Sequence, residues 1–346
     1  MKTRYLTAIL CAMLFGTIAH AQTSMLPQLP SVPGTGKLSD DPKVTEFTFI
    51  AAGDNRPAKK NAIKQPKTLG LIINDSKQHK PVFILWAGDT IAGFRTPQKI
   101  HHKTLEAQYK EFFRHAAKAG VPMFNSPGNH EMDVVDKSSA GTVETPDPQM
   151  QALYLKMMEY PKDAPPYGAF NYGNSRFIAV DTEEVPPATA VRSEGGAGAK
   201  KLKLDPGFVS LQQLELLAAD LEANKDKDHI FVFMHHPIKP LKNSMRLNQE
   251  NADQLEALFA KYKNVSYVIA AHEHLYFNAS GDKLKKLKPP SNTSDSSDGP
   301  IYLVSGGAGA PLGKCPKHTK NCSDSHHYLV FRVNGKKVDM KVVKVQ

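Results

Sequence analysis

Cysteine is scarce in this chain, with three in 346 residues. Cys11 lies in an apolar N-terminal run, which leaves Cys315 and Cys322 with His318 between them. That spacing matches no structural zinc site. A short-loop disulfide is expected if the chain meets an oxidising compartment, and a metal pair is the alternative. After the N-terminal run no stretch is long and apolar enough to cross a bilayer, which takes about 20 such residues. No zinc finger and no basic motif interleaved with aromatics is present, so specific nucleic-acid binding is not expected. No internal repeat occurs. The basic residues form no large cluster. The densest run, Lys283 to Lys288, lies in a polar stretch that reads as a solvated loop.

What is present begins with a leader. Lys2 and Arg4 precede the apolar run Tyr5 to Ile18, and Ala19-His20-Ala21 is a small-x-small cleavage site. Residues 1–21 therefore read as a secretory signal peptide, with Gln22 the first mature residue. A periplasmic or secreted protein without a membrane anchor is expected. Loss of Lys2 and Arg4 lowers the formal charge from +10 to +8. A basic surface attracts phosphate-bearing partners, although solubility alone accounts for it equally well. Residues 22–43, rich in Pro, Gly, Ser and Thr, read as a linker. Residues 44–346 read as one catalytic domain.

Within that domain strand and helix alternate. Thr45 to Ala52, Pro81 to Ala87, Val121 to Phe124, His229 to Met234, Val265 to Ala270 and Ile301 to Val304 are short apolar runs. Helical patterns cover 61–79, 102–119, 208–224 and 251–262. Ala169 to Val180 reads as a strand or hairpin. His327 to Val345 reads as a hairpin turning at Asn334-Gly335. Stretches 133–150, 185–205 and 279–300 are polar or turn-rich and read as loops. Continuous apolar strands indicate burial on both faces. The pattern predicts an α/β sheet with antiparallel strands near the C-terminus.

Chemistry-bearing residues gather just beyond the predicted strands. Asp54, Asp89, Asn129, His235, His272 and His274 each follow such a run. In α/β sheets the ligand crevice lies outside the carboxyl ends of the strands. Any one of these residues has an ordinary explanation as a turn or surface residue, but six in this arrangement do not. Carboxylate and imidazole suit zinc, manganese or iron. A two-metal site, with one carboxylate bridging ions about 3.5–4 Å apart, would bind a phosphoryl oxygen and activate water.

The ordered motifs are Gly53-Asp54-Asn55-Arg56, Gly88-Asp89, Gly128-Asn129-His130-Glu131, His235-His236-Pro237 and Ala271-His272-Glu273-His274. Over roughly residues 45 to 310 this series resembles the calcineurin-like metallophosphoesterases, including purple acid phosphatases. The resemblance implies that family's fold, α/β bordering on α+β, with a two-sheet β-sandwich flanked by helices. It implies a phosphoric ester hydrolase with two divalent or trivalent ions (Mn, Zn or Fe), acting on a small phosphate ester or a phosphorylated macromolecule, monoesters before diesters. It casts Asp89 as the bridging ligand, Asp54 and His274 as ligands of the first ion, and Asn129, His235 and His272 as ligands of the second. His130 becomes the catalytic imidazole that serves the leaving oxygen, and Glu131 either orients it or caps the following helix.

Two departures stand out. The histidine usual in the first motif is Arg56 here, and the tyrosine ligand of purple acid phosphatases is Ala92. A purple iron–tyrosinate centre is not expected. Arg56 either binds phosphate through its fork of donors or pairs with a nearby carboxylate. His236 is a candidate ligand-supporting or substrate contact, and Gly306, Gly307 and Gly309 could allow close backbone approach to the site. The rival reading is a non-catalytic phosphate- or ligand-binding protein whose first metal site is lost.

Overall fold

In the computed structural model, which describes residues 25–93, 100–138, 141–186, 207–281 and 299–346 and the side chains of these except 136–143, the apolar strands build two sheets. In the first, β1 (Glu46–Ala52), β2 (Ile84–Ala87) and β3 (Met123–Ser126) run parallel. The hairpin β13 (His327–Asn334) and β14 (Lys337–Lys344) joins antiparallel to β1, giving the order β14-β13-β1-β2-β3. The second sheet comprises β6 (Gly168–Tyr172), β7 (Ser175–Ala179), β8 (His229–Phe233), β9 (Val265–Ala270), β10 (Tyr276–Asn278), β11 (Ile301–Ser305) and β12 (Cys322–Ser323). Its order is β12-β10-β11-β9-β8-β7-β6. Strands β7, β8, β9 and β11 are parallel, and β6, β10 and β12 are antiparallel to their neighbours. A separate hairpin pairs β4 (Asp133–Ser138) with β5 (Gly141–Pro146).

The period-2 alternation of side chains along each strand sets the layering. In β1, Phe49 and Ala51 face the other sheet, while Ile50 and Ala52 face the helices. In β8, Phe231 and Phe233 point inward and Ile230 and Val232 outward. The inter-sheet layer is aromatic: Phe49 stacks on Phe331 at 4.7 Å and meets Phe231 edge-on at 4.9 Å. Each such pair adds about 0.5–1.5 kcal/mol beyond area burial. Helices α1 (Lys67–Ser76), α2 (His102–Ala116) and α4 (Pro148–Met157) cover the outer face of the first sheet. Helices α5 (Leu211–Ala223) and α6 (Gln249–Ala260) cover that of the second. Asp147, Ser210 and Asn248 cap α4, α5 and α6 by accepting from backbone N–H groups of the first turn. The sandwich flanked by helices is the architecture expected from the motifs.

Several local expectations change. The first helix starts only at Lys67, because Pro66 disfavours helix in the residue before it. Part of the polar stretch 133–150 is not loop: it forms β4, β5 and the start of α4. The C-terminal hairpin pairs Asn334 with Lys337, so its turn is Gly335-Lys336, one residue later than expected. The Pro-rich segment is packed: Leu26, Leu29 and Val32 are buried. Leu29 N–H donates to Ala169 O (3.1 Å) beside one sheet and Val32 N–H to Met123 O (2.7 Å) beside the other, so the segment covers the edge strands β6 and β3. Cys315 and Cys322 form the expected disulfide, with Cα atoms 5.9 Å apart. Among the described residues no helix is long and apolar enough to cross a membrane. The leader 1–21 and most of the stretches 185–205 and 279–300 lie outside the described residues.

Candidate metal centre

The carboxyl ends of β1, β2 and β3 from one sheet meet those of β8 and β9 from the other at one end of the sandwich. The crevice is thus shared by two sheets rather than cut into one. Asp54 and Asp89 lie two residues past β1 and β2, Asn129 starts the single-turn α3 (Asn129–Met132), and His235 and His272 lie two residues past β8 and β9. Four of these side chains sit on left-handed backbone: Asp54 (φ 62°), Asp89 (φ 57°), His272 (φ 68°) and His274 (φ 52°). Such backbone is uncommon for non-glycine residues and clusters at functional sites. The seam is close. A Cβ on Gly88 would lie 2.7 Å from His235 Nδ1, and one on Gly306 would collide with Asp54 Oδ2. The approach expected of Gly306 is therefore real.

Backbone carbonyls fix which imidazole nitrogen faces the crevice. His235 Nδ1–H donates to Ala87 O (2.9 Å), so its Nε2 presents a lone pair. That Nε2 lies 2.9 Å from Asn129 Oδ1, 3.1 Å from His272 Nδ1 and 3.3 Å from Asp89 Oδ1. Asn129 Nδ2–H donates to Glu144 Oε2 (3.3 Å), which turns the amide oxygen toward the imidazoles. A proton on His272 Nδ1 would bridge one contact only. An amide oxygen and a bare nitrogen would still face each other at hydrogen-bond distance with nothing to share. Spacings near 3 Å are those of donor atoms around one small cation with bonds of about 2.0–2.2 Å.

The other half is built on Asp54. Both its oxygens are buried without a hydrogen-bond donor. His274 Nδ1–H donates to Pro311 O (2.8 Å) and leaves Nε2 3.9 Å from Asp54 Oδ1. Ligand atoms of Asp54, Asp89 and His235 lie within 4.8 Å of one another. Burial, then the charge of Asp89, raises Asp54 well above the usual carboxylate range, and burial raises Asp89 to about 6. Burial likewise pushes His235 and His274 down to about 4. Two buried carboxylates and neutral imidazoles with lone pairs turned inward form a donor set suited to cations.

The neighbours of this set have separate tasks. Glu131 accepts from the N–H groups of Asp89 (2.8 Å), Thr90 (2.7 Å), Ile91 (3.1 Å) and Gly128 (2.8 Å). It clamps two ligand-bearing turns together and does not orient His130. Ala92 O does that, accepting from His130 Nδ1–H at 2.6 Å and leaving Nε2 3.7 Å from Asp89 Oδ2. Arg56 Nε is 3.3 Å from Asp89 Oδ2, so the guanidinium lies against that carboxylate. His236 bonds Glu183 Oε1 (2.7 Å), and its ring lies 4.1 Å from that of His272. Burial lowers His236, but the charge and hydrogen bond of Glu183 outweigh it and leave the imidazole above its ordinary value. Glu273, between the two histidines of its motif, accepts from Leu241 and Lys242 N–H and anchors loop 239–242.

The six expected ligands, His130 and Arg56 therefore lie together. Sequence reasoning missed Glu144, Glu183 and the carbonyls of Ala92 and Pro311. Carbonyls leave no mark in a sequence, and Glu144 sits on a hairpin that read as loop. Glu183 could have been found, because Asp181-Thr-Glu-Glu184 follows β7 just as the other motifs follow their strands.

Residues 48–276 match the sequence profile of the calcineurin-like phosphoesterases. No curated protein matches the chain. Solved structures of similar fold include purple acid phosphatase PPD1 from yellow lupin (Lupinus luteus), with TM-score 0.58 and 15% identity over 89% of this chain. This chain spans 52% of the lupin enzyme. A dimetal phosphatase from Danio rerio (TM-score 0.51, 15% identity, 88% of this chain and all of that one) and PhoD (0.56, 12%, 89% and 70%) share the fold too. The profile match spans more than half of the sequence, and the chain belongs to the calcineurin-like phosphoesterase family.

Proposed function

We propose that this protein is an exported phosphoesterase that hydrolyses phosphate esters, monoesters before diesters, at a centre for two metal ions. The observation that carries the reading is the meeting of Asn129 Oδ1 and the bare Nε2 of His235 at 2.9 Å, beside an Asp54 carboxylate buried without donors. In this reading Asn129, His235 and His272 hold one ion, Asp54 and His274 the other, and Asp89 both. Ions of manganese, zinc or iron would supply Lewis acidity and an activated water.

The chain's own residues do the rest. Ala92 O accepts a hydrogen bond from Nδ1–H of His130, so Nε2 is the nitrogen that, once protonated, can serve the leaving oxygen. Arg56 is a fixed cation beside the crevice, and Glu131 keeps the turns of Asp89 and Asn129 in register. The substrate is a small phosphate ester or a phosphorylated macromolecule, and the net positive charge favours its approach. The catalytic unit is residues 44–346. The leader and the disulfide support export to the periplasm or beyond.

The test is hydrolysis of p-nitrophenyl phosphate beside bis-p-nitrophenyl phosphate, with added manganese, zinc or iron and a chelator control. Chelator-sensitive turnover, faster on the monoester, is expected. Full rates in chelator would remove the metal from the reading, and a faster diester would reverse the substrate preference.

A further inference from the structure

We infer that the two halves of the centre are unequal: Arg56 occupies the Asp54–His274 half as a built-in cation, so one ion is held tightly and the second only weakly. The inference rests on the metal-centre reading above and adds that the chain itself competes for one of the two places.

The donor atoms differ between the halves. Around His235 Nε2, three further atoms from Asn129, His272 and Asp89 lie at 2.9, 3.1 and 3.3 Å. This set of four is drawn from four strand ends, those of β2, β3, β8 and β9. In the other half, Asp54 Oδ1 and His274 Nε2 are 3.9 Å apart, and the oxygen of Asp89 that the first set leaves over is Oδ2. That oxygen already faces Arg56 Nε at 3.3 Å. An ion entering there must displace the guanidinium from Asp89 or share the carboxylate with it.

Arg56 carries a planar, delocalised guanidinium cation. Its side chain is only 19% exposed, so water screens it little. Arg56 therefore lies against the Asp54–His274 half at Asp89 Oδ2, and it touches the other half only through that shared carboxylate. It neutralises the paired carboxylates Asp54 and Asp89 in part, which lets the fold tolerate them before a second ion arrives.

The experiment measures metal content. The full protein is loaded with manganese, or separately with zinc, passed through metal-free buffer and assayed for retained ions by elemental analysis. Isothermal titration then gives the two dissociation constants. Wild type should retain one ion per chain and bind the second at least about tenfold more weakly. Arg56→His should retain two. Arg56→Gln, which keeps much of the volume but not the charge, should tighten the second ion in the same direction. A melting curve for each variant reports folding, and either folded variant suffices. Two ions held equally well by wild type would overturn the inference. So would a second ion that stays weak once Arg56 is replaced. A wild type that binds no ion at all would instead overturn the metal-centre reading on which the inference stands.

Discussion

The two ends of the same parallel strands have opposite characters. At the carboxyl ends of β1, β2, β8 and β9 the polar side chains are buried, the backbone is left-handed at four of them, and lone pairs are turned toward one another. At the far end, a hollow of about 530 Å³ is lined by Lys225, Lys227, Lys261, Lys263 and Lys336 with Glu222, Asp226 and Asp228. The charges of that hollow are solvated; the Lys225–Glu222 pair is more than half exposed. Volume marks where solvent can enter. Chemistry needs groups denied their usual partners, and those are held at the other end. Each strained turn there costs about 1–3 kcal/mol, and the surrounding clamps keep it in place.

The sharpest way to break this comparison is at Asp89. Asp89→Ala should cut phosphoesterase turnover by on the order of a thousandfold or more, since the carboxylate proposed to serve both ions is gone. Asp89→Asn, which keeps the shape, should lose nearly as much. Wild-type rates in either purified variant would remove the carboxyl end as the seat of reaction. His130→Ala should cost about a hundredfold to ten-thousandfold in kcat, the range of general acid–base catalysis. Metal content should not change, because His130 is outside the donor set. A loss of bound metal would make His130 a ligand instead.

Legibility follows the same division. The candidate ligands stand out in the sequence because β-rich runs stop abruptly at Gly-Asp, Gly-Asn-His-Glu or His-x-His, and strand ends are where such residues converge. The continuous apolar runs of β1 and β8 carried the strands, but not the splitting of those strands between two sheets. Pairing between strands distant in sequence, such as β1 with β13, leaves no local period. The hairpin β4–β5 was hidden by its polar composition, and with it Glu144. Residues 22–43 looked like a linker because they are rich in Pro, Gly, Ser and Thr, although Leu26, Leu29 and Val32 within them are buried. Arg56 was left between two roles, and its place against Asp89 is a matter of distance that no spacing reveals.

Glu131 sharpens the comparison by separating clamp from chemistry. Glu131→Ala leaves the N–H groups of Asp89, Thr90, Ile91 and Gly128 buried without their acceptor, at about 1–3 kcal/mol each before relaxation. Thermal melting should fall by roughly 6 °C for a net loss near 4 kcal/mol in a chain of this size. Activity should fall with it, because two ligand-bearing turns lose their tie. Glu131→Gln retains an acceptor oxygen and should lose less on both counts. Unchanged melting in Glu131→Ala would mean the turns hold themselves.

The smallest effect belongs to the opposite end. Lys225 pairs with the exposed Glu222, and solvent screening makes such a contact weak. Lys263 lines the same hollow. Replacing Lys225 and Lys263 together by alanine should leave kcat and the melting temperature unchanged, because neither side chain reaches the ligands or the inter-sheet aromatics. Association is the one quantity that could respond. A lower net positive charge should slightly reduce kcat/KM for anionic substrates at low salt, and the difference should vanish at about 1 M salt, where screening is complete within a few ångströms. If instead kcat itself fell, the lysine-lined hollow would be taking part in turnover. The contrast between a chemical end and a merely solvated end of the sandwich would then be lost.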